Sequence, residues 1–225
     1  MIKHVFFDLD HTLWDFETNS NRTFSYIFER NGLDLDFEEF IGVYQPINQY
    51  FWKLFREDKV TKADLRYGRL KKAFDAIDIR VSDSMINLLS EEYIVYLADH
   101  NALFENAFPI LEYLAPKYRM HIITNGFEEV QHRKLENSNL RPFFDRVITS
   151  ERVGVKKPHP DIFNFALRQT GAQAGESVMI GDNFEADIEG AINVGMKAIF
   201  CRFNGEEAPL DVPRVENLIQ LKELL

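Results

Sequence analysis

The chain has 225 residues, 45% apolar and 28% charged, which excludes a chain disordered throughout and leaves room for one or two packed domains. A net charge of −10 repels nucleic-acid polymers and anionic membranes at long range. It still admits a small anionic ligand where a bound cation reverses the sign inside one pocket.

The first segment, Ile2 to Phe7, is β-branched and aromatic without helical period, as in a strand buried on both faces. Asp8 and Asp10 close it, and its apolar part is too short for a signal peptide.

From about Glu17 to Asn101 the pattern becomes helical. Phe24, Ile27 and Phe28 recur at helical spacing, as do Phe51, Leu54 and Phe55, and Leu70, Phe74 and Ile77. Breaks fall at Asn31-Gly32, near Asp58 to Thr61 and near Ile79 to Ser82, so four or five bundled helices are expected. Pro46 is expected to kink or break the second, and Ser82 and Asp83 read as caps.

Beyond about Ala102, apolar runs alternate with helical segments. The runs are Met120 to Ile123, Val147 to Ile148, Val178 to Ile180 and Ala198 to Phe200. The helical segments are Pro109–Leu114, Glu128–Asn137, Ile162–Gln169 and Ala186–Val194. The alternation predicts an α/β fold with a parallel sheet and crossover helices. The first strand joins this sheet most economically, which makes residues 1–16 and 102–225 one domain and residues 17–101 an insertion. The single cysteine, Cys201, excludes an intramolecular disulfide, and no apolar stretch has the length of a membrane span. A reducing cytoplasm is the expected location.

Four polar clusters follow predicted strands, at the sheet edge where α/β proteins bind ligands. Asp8 and Asp10 could converge on one cation and one substrate, with Asp8 as nucleophile and Asp10 as general acid, then base. The pair also reads as turn-forming acids. Thr124, Asn125 and Gly126 could donate to phosphate oxygens, or form a turn and helix cap. Lys157, held by Pro158, could neutralise a transferred phosphoryl group, or belong to a solvated pair with Lys156. Asp182 completes a hard-oxygen Mg²⁺ site with Asp8 and the backbone carbonyl of Asp10. Asn183 and Asp187 could support it, and Asp187 reads equally as a charge at a helix N-terminus. Several carboxylates at one edge repel one another without a cation.

Together these residues resemble the haloacid dehalogenase-like hydrolase superfamily. Its first motif corresponds to DLDHT with Asp8 and Asp10, and its second to Thr124. Lys157 before Pro158 corresponds to the third, and GDNFEAD with Asp182 and Asp187 to the fourth. The resemblance implies a Rossmann-like core, an inserted α-helical cap, a Mg²⁺ cofactor and an aspartyl-phosphate intermediate. Asp10 favours phosphate esters over halides, because an alkoxide needs a proton on leaving. The stretches ITNGFEEVQHRKLENSNL and FFDRVITSERVGVKKPHPDIFNFAL are similar to 5′-nucleotidases acting on pyrimidine nucleoside monophosphates. Lys156 departs from the usual small residue at its position.

The resemblance implies a small phosphorylated metabolite as partner, with no nucleic-acid polymer and no membrane, on a monomer or homodimer. The alternatives are a sugar-phosphate phosphatase or phosphomutase, and a non-catalytic binding protein, which would lack a catalytic group. Trp14, Asp15 and Phe16 sit where a hinge is expected. The rings of Trp14 and Phe16 could stack on a base or seal a domain junction.

Overall fold

Short apolar runs ended by polar residues become strands of one sheet in the computed structural model, which describes residues 1–203 and 211–225. They are β1 (His4–Phe7), β2 (Arg119–Thr124), β3 (Arg146–Thr149), β4 (Ser177–Gly181), β5 (Lys197–Cys201) and β6 (Arg214–Val215). The order is β3-β2-β1-β4-β5-β6, and every pairing is parallel. The sequence pattern anticipated the first five. β6 has only two residues, too few to carry a period of its own.

The backbone divides into two compact units, Met1–Phe16 with Asn101–Leu225, and Glu17–His100. In the first, alternation sends successive side chains to opposite faces of the sheet. Phe6, Ile123, Ile148 and Met179 pack with Ile162, Phe163, Ala166 and Met196. Val5, Phe7, Ile122 and Ile180 are buried as well, so both faces are covered and the strands read as unbroken apolar runs.

The second unit is built from α1 (Phe16–Arg30), α2 (Phe37–Arg56), α3 (Lys62–Ala76) and α4 (Asp83–Tyr96), α1 entering from the last residue of the first unit. Asp36, Thr61 and Ser82 cap α2, α3 and α4 by accepting from backbone N–H groups. Of the kink or break expected at Pro46, the break does not occur, and α2 runs through it. Pro46 and Gly42 are exposed, so water can serve the Gly42 carbonyl that loses its donor. Tyr44 and Asn48 are buried on either side of the proline and hold the helix in place. The core is aromatic: Phe24 meets Phe28, Phe40, Tyr44 and Tyr93 at centroid distances of 4.6 to 5.5 Å. Tyr44 and Phe51 belong to this core, whereas Tyr50 is exposed.

Returning to the first unit, the helices are α5 (Ala107–Leu114), α6 (Glu128–Asn137), α7 (Ser150–Val153), α8 (Pro160–Thr170), α9 (Gly190–Asn193) and α10 (Leu221–Leu224). The helix expected over Ala186–Val194 is instead a π-helical turn, Phe184–Glu189, followed by the short α9. No described helix is long and apolar enough to cross a membrane.

Register brings the strand ends together. Phe7 lies opposite both Ile122 and Ile180, and Thr124 opposite Thr149. The chain leaves β1 toward β2 and β3, then returns to β4 on the other side of β1. Strand order therefore reverses at β1, the place where α/β sheets open a ligand crevice.

Candidate active site

Asp8 is the first residue beyond β1, and its backbone N–H donates to the Ile180 carbonyl at 2.8 Å. The chain then curls back on itself. The N–H groups of Leu13 and Trp14 both donate to the Leu9 carbonyl, and His11 takes a left-handed conformation, φ +60°. The curl returns Thr12 to the sheet edge, where its hydroxyl donates to Asp182 Oδ1 at 3.2 Å.

Lys157 is buried and its ammonium is surrounded by acceptors. Nζ lies 2.6 Å from Asp8 Oδ1, 2.6 Å from Asp187 Oδ1 and 2.8 Å from the Ile123 carbonyl. Burial would lower the pKa of this lysine, but Asp187 and Asp8 outweigh it and hold the ammonium above its ordinary value. Lys157 is the lysine that meets Asp8 and Asp187. Asn125 fixes its main chain by a two-way clamp: Asn125 Nδ2 donates to the Lys157 carbonyl at 3.0 Å, and the Lys157 N–H donates to Asn125 Oδ1 at 2.8 Å. The amide expected on a phosphate is thus engaged with the backbone of the lysine.

Asp8, Asp182 and Asp187 offer carboxylate oxygens that all lie within 4.8 Å of one another. Burial raises Asp8 well above the usual carboxylate range, with Lys157 opposing and Asp187 and Asp182 adding to the rise. Asp182 is pushed up to about 8, first by burial and then by Asp187. Three carboxylates against one ammonium leave the pocket short of positive charge. An all-oxygen donor set with that deficit fits a hard divalent cation such as Mg²⁺. The π-helical turn delivers Asp187 to this cluster, and the Asn183 N–H donates to its Oδ2 at 3.1 Å. Gly181 must be glycine here, since a Cβ would stand 2.3 Å from Asp187 Oδ2.

Asp10 is held by partners of its own. Its Oδ1 is 2.5 Å from Lys134 Nζ, and its Oδ2 accepts from Gln131 Nε2 at 2.9 Å. The same Gln131 Nε2 donates to the Thr124 hydroxyl at 2.8 Å, which also accepts from the Gly126 N–H at 3.1 Å. The Lys134 ammonium lies 4.1 Å from the centroid of the Trp14 ring, and Trp14 is fully buried. The indole is therefore occupied by a lysine and is not a free platform for a base. His11 packs its ring against Phe16 at 4.9 Å.

Sequence reasoning singled out neither Gln131, Lys134 nor the Thr12–Asp182 contact. A signal existed for the first two: Val130, Gln131, Lys134 and Leu135 form the buried face of α6, and two of its four members are polar.

The chain is 30% identical to pyrimidine 5′-nucleotidase YjjG of Escherichia coli, over 98% of this chain and 96% of that one. It is 32% identical to a glyceraldehyde 3-phosphate phosphatase of Methanothermobacter thermautotrophicus over the whole of both. Among solved structures, magnesium-bound YfnB of Bacillus subtilis superposes with a TM-score of 0.90 at 26% identity, covering 100% of this chain and 98% of that one. The profile of haloacid dehalogenase-like hydrolases matches residues 2–195, and the chain belongs to that family.

Proposed function

We propose that this protein is a Mg²⁺-dependent phosphomonoesterase that hydrolyses small phosphate monoesters through an aspartyl-phosphate on Asp8, with nucleoside 5′-monophosphates as the leading substrates. The observation that carries this reading is the buried Lys157 ammonium joining Asp8 to Asp187 beside Asp182. Asp10, two residues beyond Asp8, supplies the acid that an alkoxide leaving group requires.

In the reaction, a carboxylate oxygen of Asp8 attacks phosphorus. The bond to the ester oxygen breaks with its electron pair on that oxygen, which takes a proton from Asp10. Asp10 then removes a proton from water, whose oxygen attacks the phosphorus of the acyl phosphate. Phosphate leaves and Asp8 is regenerated. Lys157 balances charge on Asp8 and on the phosphoryl group, while the Thr124 hydroxyl donates to the phosphate; the Gly126 N–H expected there is engaged with Thr124 instead. Asp8, Asp182 and the Asp10 carbonyl would hold the cation, supported by Asn183 and by Asp187. The cation supplies positive charge against the carboxylates and phosphoryl oxygens. We assign the helical unit, Glu17–His100, the role of a cap that selects the leaving group.

A second reading, a sugar- or triose-phosphate phosphatase, is favoured by the full-length similarity to the glyceraldehyde 3-phosphate phosphatase. Phosphate release from UMP, dUMP, glyceraldehyde 3-phosphate and hexose phosphates, with and without Mg²⁺, tests both. Preference for the nucleotides supports the first reading, and preference for the sugars the second. Absence of release from all of them overturns the phosphomonoesterase assignment.

A further inference from the structure

We propose that Gln131 and Lys134, one turn apart on α6, are positioning residues that fix the plane of the Asp10 carboxyl group, which in its acid form gives its proton to the leaving oxygen, and turn the Thr124 hydroxyl proton toward the phosphoryl group. The inference rests on the phosphomonoesterase reading and adds to it two residues that carry out no bond change themselves.

Asp10 sits in a loop with a half-buried side chain, so nothing in the backbone alone fixes its carboxylate. The two oxygens have separate donors: Lys134 on Oδ1 at 2.5 Å and Gln131 on Oδ2 at 2.9 Å. Two donors on two oxygens set the orientation of a planar group. Lys134 is itself held. Its side chain is 2% exposed, and its ammonium lies 4.1 Å from the Trp14 ring centroid and 5.2 Å from that of Phe16. Both rings belong to the segment that follows Asp10. The acid, the lysine and the rings beneath it therefore form one closed arrangement between α6 and the first loop.

Gln131 extends that arrangement to the phosphate side. Its amide nitrogen has two protons, and they go to Asp10 and to Thr124. The reverse orientation would press the amide oxygen against a carboxylate. The Thr124 hydroxyl accepts from Gln131 and from the Gly126 N–H, so both of its lone pairs are used. Its own proton is left to donate outward. Gly126 has a part in this. A Cβ at that position would stand 2.5 Å from Gln131 Cδ and Nε2, so the glycine makes space for the amide.

A purely structural role for α6 and a positioning role differ in one readout. The alkoxide of UMP needs a proton to leave, whereas the nitrophenolate of p-nitrophenyl phosphate does not. The ratio kcat/KM follows the reaction only through formation of the aspartyl-phosphate, so it isolates the leaving-group step. We expect Lys134→Met and Gln131→Met each to lower kcat/KM for UMP, or for the alkyl phosphate preferred in the substrate screen, about tenfold more than for p-nitrophenyl phosphate. Gly126→Ala, which displaces the Gln131 amide, should repeat the Gln131→Met pattern.

Equal losses on both esters, or no loss on either, overturn the proposal. Should Lys134→Met fail to fold, Gln131→Met and Gly126→Ala decide by the same ratio, since neither leaves a buried charge unpaired. Wild-type protein that hydrolyses neither ester contradicts the phosphomonoesterase reading itself, a result distinct from any change in the ratio.

Discussion

At the scale of single residues, the site combines catalytic potential with local instability. Asp8 is buried beside Asp182 and Asp187, and burial and their charges raise its pKa. Asp8→Asn removes one of three crowded charges but leaves Lys157 bound to Asp187 and to the Ile123 carbonyl. The variant should lose phosphate release to background while its thermal midpoint stays level or rises. Activity assay and thermal melt on the same sample check this. A variant that keeps turning over would remove Asp8 from the role of nucleophile.

His121 gives a second expectation at this scale, away from the site. It lies in β2, stacked on His4 with a 3.0 Å ring-nitrogen contact, and its pKa is lowered to about 4 by burial first and by His4 second. Since the folded value lies below the unfolded one, neutral His121 contributes fully above about pH 6.5. That contribution is lost as pH falls toward 4, by about 3 kcal/mol in all. Denaturant midpoints between pH 7 and pH 4.5 should fall less steeply in His121→Leu than in the wild type.

At the scale of elements, two helical glycines in the helical unit should respond in opposite directions to alanine. A Cβ added at Gly42 in α2 would meet nothing within 4 Å, so Gly42→Ala should stabilise by about 1 kcal/mol through helix propensity. Gly68 in α3 faces the Phe51 ring of α2, where a Cβ would stand 2.6 Å from a ring carbon. Gly68→Ala should destabilise by about 1–3 kcal/mol from overpacking. Denaturant unfolding of the two variants measures both.

The elements also show what a sequence can and cannot reveal. The strand ends were legible because apolar runs stop abruptly at Asp8, Thr124 and Gly181-Asp182, and parallel pairing then gathers those ends at one edge. The π-helical turn at Phe184–Glu189 was not legible: five-residue hydrogen bonding leaves the same composition as an ordinary helix. Pro46 does not break α2, since its local penalty is outweighed by burial on both sides. Lys134 was missed because a lysine on a charged helix reads as solvent-facing until the buried Trp14 beneath it is seen.

At the scale of the whole molecule, a chain of net charge −10 concentrates three of its carboxylates within 4.8 Å at one sheet edge. Binding of Mg²⁺ there should stabilise the folded state by mass action. Mg²⁺ should therefore raise the thermal midpoint of the wild type, and Asp182→Asn should shrink that rise and increase the Mg²⁺ needed for half-maximal phosphate release. An equal rise in both proteins would place the cation elsewhere.

In the proposed reaction the phosphoryl group passes through Asp8. Acid quenching during turnover of a preferred substrate with Mg²⁺, followed by mass spectrometry of the peptides, examines it most directly. The proposed reaction requires a phosphoryl adduct on the peptide carrying Asp8 and none in Asp8→Asn. Phosphate release by the wild type with the adduct on another residue, or with no adduct at any quench time, would contradict it.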